Sequence, residues 1–173
     1  MATNIEGIAA QVEGGRNFDS PPLERWHPPL SGDIAIRITA DGTWYHDGDP
    51  IRRESLRNLF ASILRREQDG EYYLVTPVEK WRIEVELHPL IVVDVEQAGD
   101  SLELTLNTGK RVAVGQEHPL FLESRLDNVA AVELWHGLCA VFSRSAWYRL
   151  VEMADLDGNL CSGDFRLNLL GRA

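Results

Sequence analysis

Apolar residues recur along this chain with two periods, and the period changes from one stretch to the next. Near the start, Ile5, Ile8, Ala9 and Val12 share one face of a predicted helix, capped by Asn4 and ended by Gly14 and Gly15. Pro21, Pro22, Pro28 and Pro29 then make residues 16–32 an extended arm, with Leu23, Trp26 and Leu30 available for burial. Strict alternation in IAIRI (34–38) predicts a strand with Ile34, Ile36 and Ile38 inward. Asp41-Gly42 turns it into TWYH, and Asp47-Gly48 turns the chain again. Helical spacing returns in IRRESLRNLFASILRRE (51–67) through Leu56, Leu59, Phe60, Ile63 and Leu64. Asp69-Gly70 leads into a hairpin, YYLVTPVEKWRIEVEL (72–87), whose turn carries polar residues and Pro77.

From His88 onward the pattern is mostly strand: 91–97, 101–107, 111–115, 131–137 and 138–142. A second helix is predicted over 143–156 with Ser143 as its cap, then a last strand over 165–170. The predicted fold class is α+β, with two strand-rich halves that each carry a helix. The divisions are 1–32 for the first helix and arm, 33–87 for the N-terminal α+β half, and 88–173 for the C-terminal sheet-rich half with its closing helix. Gly32, Gly42 and Gly48 recur as Gly99, Gly109 and Gly115 at one constant spacing, while the alternating apolar positions match one residue out of step. A duplication fits this echo, and so does chance recurrence of turn glycines.

Composition narrows the function classes. The 173 residues suffice for an ordinary core without staples. A formal charge of −10 opposes non-specific binding to nucleic acid and to anionic membranes. No run is long and apolar enough to insert into a membrane, and no signal peptide opens the chain, so a cytoplasmic setting is expected. Cys139 and Cys161 lack metal-ligand or disulfide spacing.

No nucleotide-loop, zinc-protease or serine-nucleophile motif occurs. The five histidines have no ligand spacing, and the Asp155–Asn159 stretch fails the calcium-loop pattern. No catalytic residue, metal or cofactor is therefore expected. Glu79 as base with His46 or Lys80 as acid is the one enzymatic alternative, and a lone Glu-Lys neighbour pair reads first as an ion pair. The remaining anomaly is misplaced charge. Arg52 and Arg53 stand where the predicted helix 51–67 begins, against its dipole; an anion there, or pairing with Asp47, Asp49 or Glu54, would relieve them. Lys80 and Arg82 lie beside Trp81, and Trp44, Tyr45 and His46 could add a stacking surface.

PPLERWHPPLSGDIAIRI, DGTWYHDGDPI, LVTPVEKWRI and SRSAWYRLVE, in that order, resemble the bacterial family called domain of unknown function 1285. The resemblance runs from the first helix to about residue 155. It implies a two-part α+β fold with a duplicated core, and a C-terminal half like a pleckstrin-homology curved sheet with one helix. It also implies a ligand site between the halves, for a nucleotide-like molecule, and a role in signalling. The candidate ligand-binding residues are Trp44, Tyr45, His46, Arg52, Thr76, Glu79, Lys80, Arg82 and Arg144. The expected function is a non-enzymatic module binding an anionic nucleotide-like molecule. The alternative is a protein-interaction or homodimerisation module without a small ligand.

Overall fold

The computed structural model describes residues 5–13 and 20–171. The predicted cap Asn4 and the stop Gly14-Gly15 lie outside them. The chain divides into two compact units, Met1–Pro89 and Leu90–Ala173.

The first unit holds helix α1 (Ile5–Glu13), strands β1 (Leu30–Ile38), β2 (Trp44–His46) and β3 (Asp49–Pro50), helix α2 (Glu54–Ser62), and strands β4 (Leu64–Arg66), β5 (Tyr72–Val75) and β6 (Lys80–Val85). They form one six-stranded sheet in the order β3-β2-β1-β6-β5-β4. Only the central pair, β1 with β6, is parallel. Ile34, Ile36 and Ile38 are buried, as their alternation predicts. The Trp44 ring packs against Phe60 of α2 at 6.3 Å between centroids. Helix α1 packs on α2, and Ile8 and Val12 are buried.

The predicted helix 51–67 is shorter at both ends. At its start, Pro50 is in β3, and the Ile51 N–H donates to the Trp44 carbonyl at 2.8 Å, so these residues still belong to the hairpin. At its end, Ile63 and Leu64 carry the apolar pattern onward outside the helix: Ile63 is its C-cap, whose carbonyl accepts from the Val75 N–H at 2.9 Å, and Leu64 opens β4. Both are fully buried, so helix and strand satisfy the same apolar positions at this junction. Arg65 and Arg66 therefore belong to β4 and do not complement a helix dipole. Arg65 instead holds the Pro-rich arm: its Nη1 donates to the carbonyls of Leu23 and Trp26 at 3.0 and 2.9 Å. The arm is shorter than expected, because β1 begins at Leu30.

The second unit holds β7 (Leu90–Ala98), β8 (Ser101–Leu106), β9 (Arg111–Ala113), β10 (Leu120–Glu123), β11 (Val129–Glu133), β12 (Cys139–Phe142), helix α3 (Arg144–Met153), and the hairpin β13 (Asn159–Ser162) and β14 (Phe165–Asn168). Its sheet order is β10-β11-β12-β7-β8-β9, and its central pair, β12 with β7, is parallel. Written from the other edge, this is the order of the first sheet: third, second, first, sixth, fifth, fourth. The helices differ. In the first unit α2 joins the third strand to the fourth, whereas in the second unit α3 follows the sixth.

The shared order corrects the glycine echo. Gly42 turns the first strand into the second, and its counterpart is Gly99; Gly48 turns the second into the third, and its counterpart is Gly109. All four have positive φ, 85°, 65°, 87° and 86° respectively, which these turns require. The constant spacing instead aligns Gly42 with Gly109, one hairpin out of step, and the mismatched alternation follows from that.

Candidate functional site

Alternation on the strands separates the predicted site residues. In β6, Lys80, Arg82 and Glu84 point to one face, and Trp81 and the buried Ile83 to the other. Register extends the polar face: Asp33 of β1 and Tyr73 of β5 flank Arg82, while Arg37 stands opposite both Glu84 and Tyr45. Tyr45 thus lies on the polar face, and its neighbours Trp44 and His46 lie on the other. Trp44 is 3% exposed and belongs to the core, so it offers no ring to a ligand.

The polar face carries a cleft of roughly 600 Å³. Asp33, Arg37, Tyr45, Glu71, Arg82 and Glu84 supply its functional groups. The Arg82 Nε donates to Asp33 Oδ1 at 2.7 Å, and Asp33 holds the Arg82 proton more firmly than usual. The Arg37 guanidinium lies 5.7 Å from the centre of the Tyr45 ring and 3.5 Å from Glu86 Oε1. Beside the cleft, Tyr73 Oη donates to Asp69 Oδ2 at 2.5 Å. This bond raises the Tyr73 pKa to about 12 and lowers that of Asp69.

Of the predicted residues, only Tyr45 and Arg82 line this cleft. Lys80 shares its face, but its Nζ is 2.7 Å from Glu67 Oε1 and sits 4.7 Å over the Tyr73 ring. Thr76 and Glu79 have a structural role. Thr76 is fully buried; its Oγ1 donates to Gln11 Oε1 at 2.7 Å and accepts from the Glu79 N–H at 3.0 Å. Glu79 Oε2 accepts from Gln11 Nε2 at 2.9 Å. The polar turn is thus the seat on which α1 docks.

His46 and Arg52 line a shallower groove beside the start of α2. Neither Arg52 nor Arg53 lies inside the helix: Arg53 is the extended residue before its first turn. Arg53 Nη2 is 3.4 Å from Glu6 Oε1, and Asp47 and Asp49 share the groove, so carboxylates already balance its arginines. Arg144 is in the second unit, where its Nε donates to Tyr148 Oη at 3.3 Å and its guanidinium stands 5.6 Å from the Tyr148 ring centre. This is a contact within one helix, at spacing i, i+4.

Sequence reasoning missed Asp33, Arg37, Glu71 and Glu84. Arg37 was accessible to it, as the outward residue between Ile36 and Ile38. Asp33 was not, because its pairing with Arg82 depends on the parallel β1–β6 register. Among the described residues no cluster of His, Cys, Asp and Glu could hold a metal ion. No described helix is long and apolar enough to cross a membrane.

Two family models match in tandem, the N-terminal domain of DUF1285 over residues 21–87 and its C-terminal domain over 89–165. This chain belongs to the DUF1285 family. A DUF1285 protein of Silicibacter pomeroyi DSS-3 is similar in structure at a TM-score of 0.82 and 35% identity, covering 92% of each chain. A DUF1285 protein of Shewanella baltica OS155 matches at a TM-score of 0.59 and 32% identity, covering 71% of this chain and 94% of its own. No curated protein matches. The DUF1285 tandem agrees with the two units; the first model is described as a domain of unknown function and the second as the C-terminal domain of a protein of unknown function.

Proposed function

We propose that this chain is a non-enzymatic module that binds a small nucleotide-like molecule in the cleft on the polar face of its first sheet. One observation carries the reading: the cleft joins an aromatic ring, Tyr45, to two guanidinium groups, Arg37 and Arg82, on adjacent strands. A planar base can lie on Tyr45 in the guanidinium-flanked position. A phosphate or carboxylate can take the fork of Arg82, and Glu71 or Glu84 can accept from ring N–H groups. The site proposed from the sequence, at the TPVEKWR turn, gives way to this cleft, because Thr76, Glu79 and Lys80 have partners within the fold. A sensor role in signalling follows if occupancy of the cleft is read by another protein. The second unit, with α3 packed on its central strands β7 and β12, supports a pleckstrin-homology-like reading, and the common strand order supports a duplicated core.

The test is a thermal-shift screen against nucleosides, nucleotides, cyclic and dinucleotide messengers and phosphometabolites. A ligand at 100 times its Kd stabilises the fold by about 2.7 kcal/mol. Its shift should vanish in both Tyr45→Ala and Arg82→Ala; a shift retained in both variants places the ligand elsewhere.

The second reading, a protein-interaction or homodimerisation module, is favoured by apolar exposure on α3. Tyr148 and Val151 are 54% and 44% exposed one turn apart, and Leu156 beyond the helix is fully exposed. A mass that rises with concentration in light scattering, and falls back in Tyr148→Ser/Val151→Ser, supports it. A monomer mass throughout removes the homodimer form of this reading.

A further inference from the structure

The charges of the cleft oppose the ligand that its arginines invite. Its lining holds two arginines and three carboxylates, Asp33, Glu71 and Glu84. An anion approaching Arg82 meets a guanidinium already engaged by Asp33 at 2.7 Å. We infer that Asp33 is a built-in competitor: it holds the seat on Arg82 that a ligand's anionic group takes, and yields it when that group binds. This inference rests on the cleft reading above.

The geometry of β1 makes the exchange possible. The β1–β6 ladder shifts register on both sides of the Gly32–Asp33 pair. Gly32 has φ +144°, and a Cβ placed there would lie 3.4 Å from the Trp81 ring. This irregular segment, with Trp81 beneath it, aims Asp33 across at Arg82. The pair is open to water, with side chains 67% and 41% exposed, so its rupture costs little. The Asp33 carboxylate can turn into solvent and be hydrated as the incoming anion replaces it. No proton or bond changes hands; one anion replaces another on the same donor.

Selectivity follows. A ligand must bring an anion that bonds the guanidinium better than Asp33 does, as a bidentate phosphate can. A neutral ring alone gains nothing at Arg82, and small anions with no ring to place on Tyr45 are turned away. Asp33 therefore sets a threshold that favours molecules carrying both groups.

The experiment is calorimetric titration of the wild-type chain and Asp33→Asn with adenosine and guanosine 5′-monophosphates, the two nucleosides, and pyrophosphate. Asn keeps the size of Asp33 and removes its charge. The inference expects Asp33→Asn to bind the monophosphates about fivefold more tightly, the scale of a lost surface ion pair. It expects nucleoside affinity to be unchanged, pyrophosphate binding to strengthen, and Arg82→Ala to abolish the preference for monophosphate over nucleoside in either background. A gain in affinity is not what damage to the fold produces, and melting curves of each variant check that the fold is intact. Equal monophosphate affinity in wild type and Asp33→Asn overturns the inference and leaves the cleft reading standing. Weaker binding in Asp33→Asn overturns it too, and makes Asp33 a ligand contact. Absence of binding by any probe to either protein overturns both.

Discussion

Tyr73 and Asp69 show how one residue contact becomes a measurable property. Tyr73 is 4% exposed and donates to a carboxylate that stays ionised across the neutral range. Its pKa rises from 10 to about 12 because ionisation would destroy that bond and set two anions side by side. A group whose folded pKa is raised contributes stability that is complete below its unfolded pKa and lost as pH climbs through the folded value. The chain should therefore lose stability between about pH 10 and pH 12 through Tyr73. In Tyr73→Phe that part of the alkaline loss should disappear from urea-denaturation curves; an unchanged slope would mean the bond does not form in solution. Thr76 is a second case. Thr76→Ala leaves the Glu79 N–H without its side-chain acceptor and takes one partner from Gln11, so stability should fall by about 1–3 kcal/mol. The same denaturation series measures it, and a loss below about 0.5 kcal/mol would contradict the seat proposed for α1.

At the scale of elements, Ser162 and Gly32 each stand where one element meets another. The β13–β14 hairpin docks through Ser162, whose buried Oγ donates to Val114 O and accepts from the Leu102 N–H, both at 2.8 Å. Ser162→Ala strands a buried donor and a buried acceptor, and should cost about 2 kcal/mol. Faster amide exchange at Leu102 would report it directly, and protection equal to wild type would count against this docking role. In β1, Gly32→Ala forces a side chain into a positive-φ position against Trp81 and should cost about 1–3 kcal/mol. The elements also show where periodicity misleads. The apolar run 56–64 reads as one helix, yet the helix ends at Ser62 and Leu64 is the first, buried residue of an edge strand. Both conformations bury Ile63 and Leu64, and the competing bond from Val75 to Ile63 decides between them. The strands β3, β4, β10 and β13 are two to four residues long, too short for alternation to register.

At the scale of the molecule, one strand order is used in both units with its helix moved. The repeat is visible in pairing and not in spacing, because loop lengths differ between the units while turn chemistry recurs. Each unit has its own six-stranded sheet and its own buried apolar set. Residues 90–173 expressed alone should therefore unfold cooperatively in urea, with strand-type circular dichroism; a gradual, non-cooperative transition would show that this unit does not hold its own core. The strand faces, the major turns, helices α1 and α3 and the two-part plan were legible from sequence, since alternation, Asp-Gly turns and helix caps are local signals. The family resemblance was legible as well, because its motifs lie in order along the chain. Neither the partner of a charge nor the face a polar residue shares with distant strands is local. Lys80 and Arg82 stood out in the sequence as misplaced cations, and only the fold supplies Glu67 and Asp33 to them. Tyr45 and His46 are adjacent in sequence and lie on opposite faces of the sheet, so a site drawn through both could not survive folding. By itself the sequence determined which face of each long alternating strand would be buried and where its Asp-Gly turns would fall, because alternation and turn chemistry are local. It did not determine that Trp44 and Thr76 would be buried or that Leu30 would stay 48% exposed. The parallel registers of β1 with β6 and of β7 with β12 join segments far apart in the chain. Tertiary structure alone could therefore decide that Asp33, Arg37, Tyr45 and Arg82 meet in one cleft.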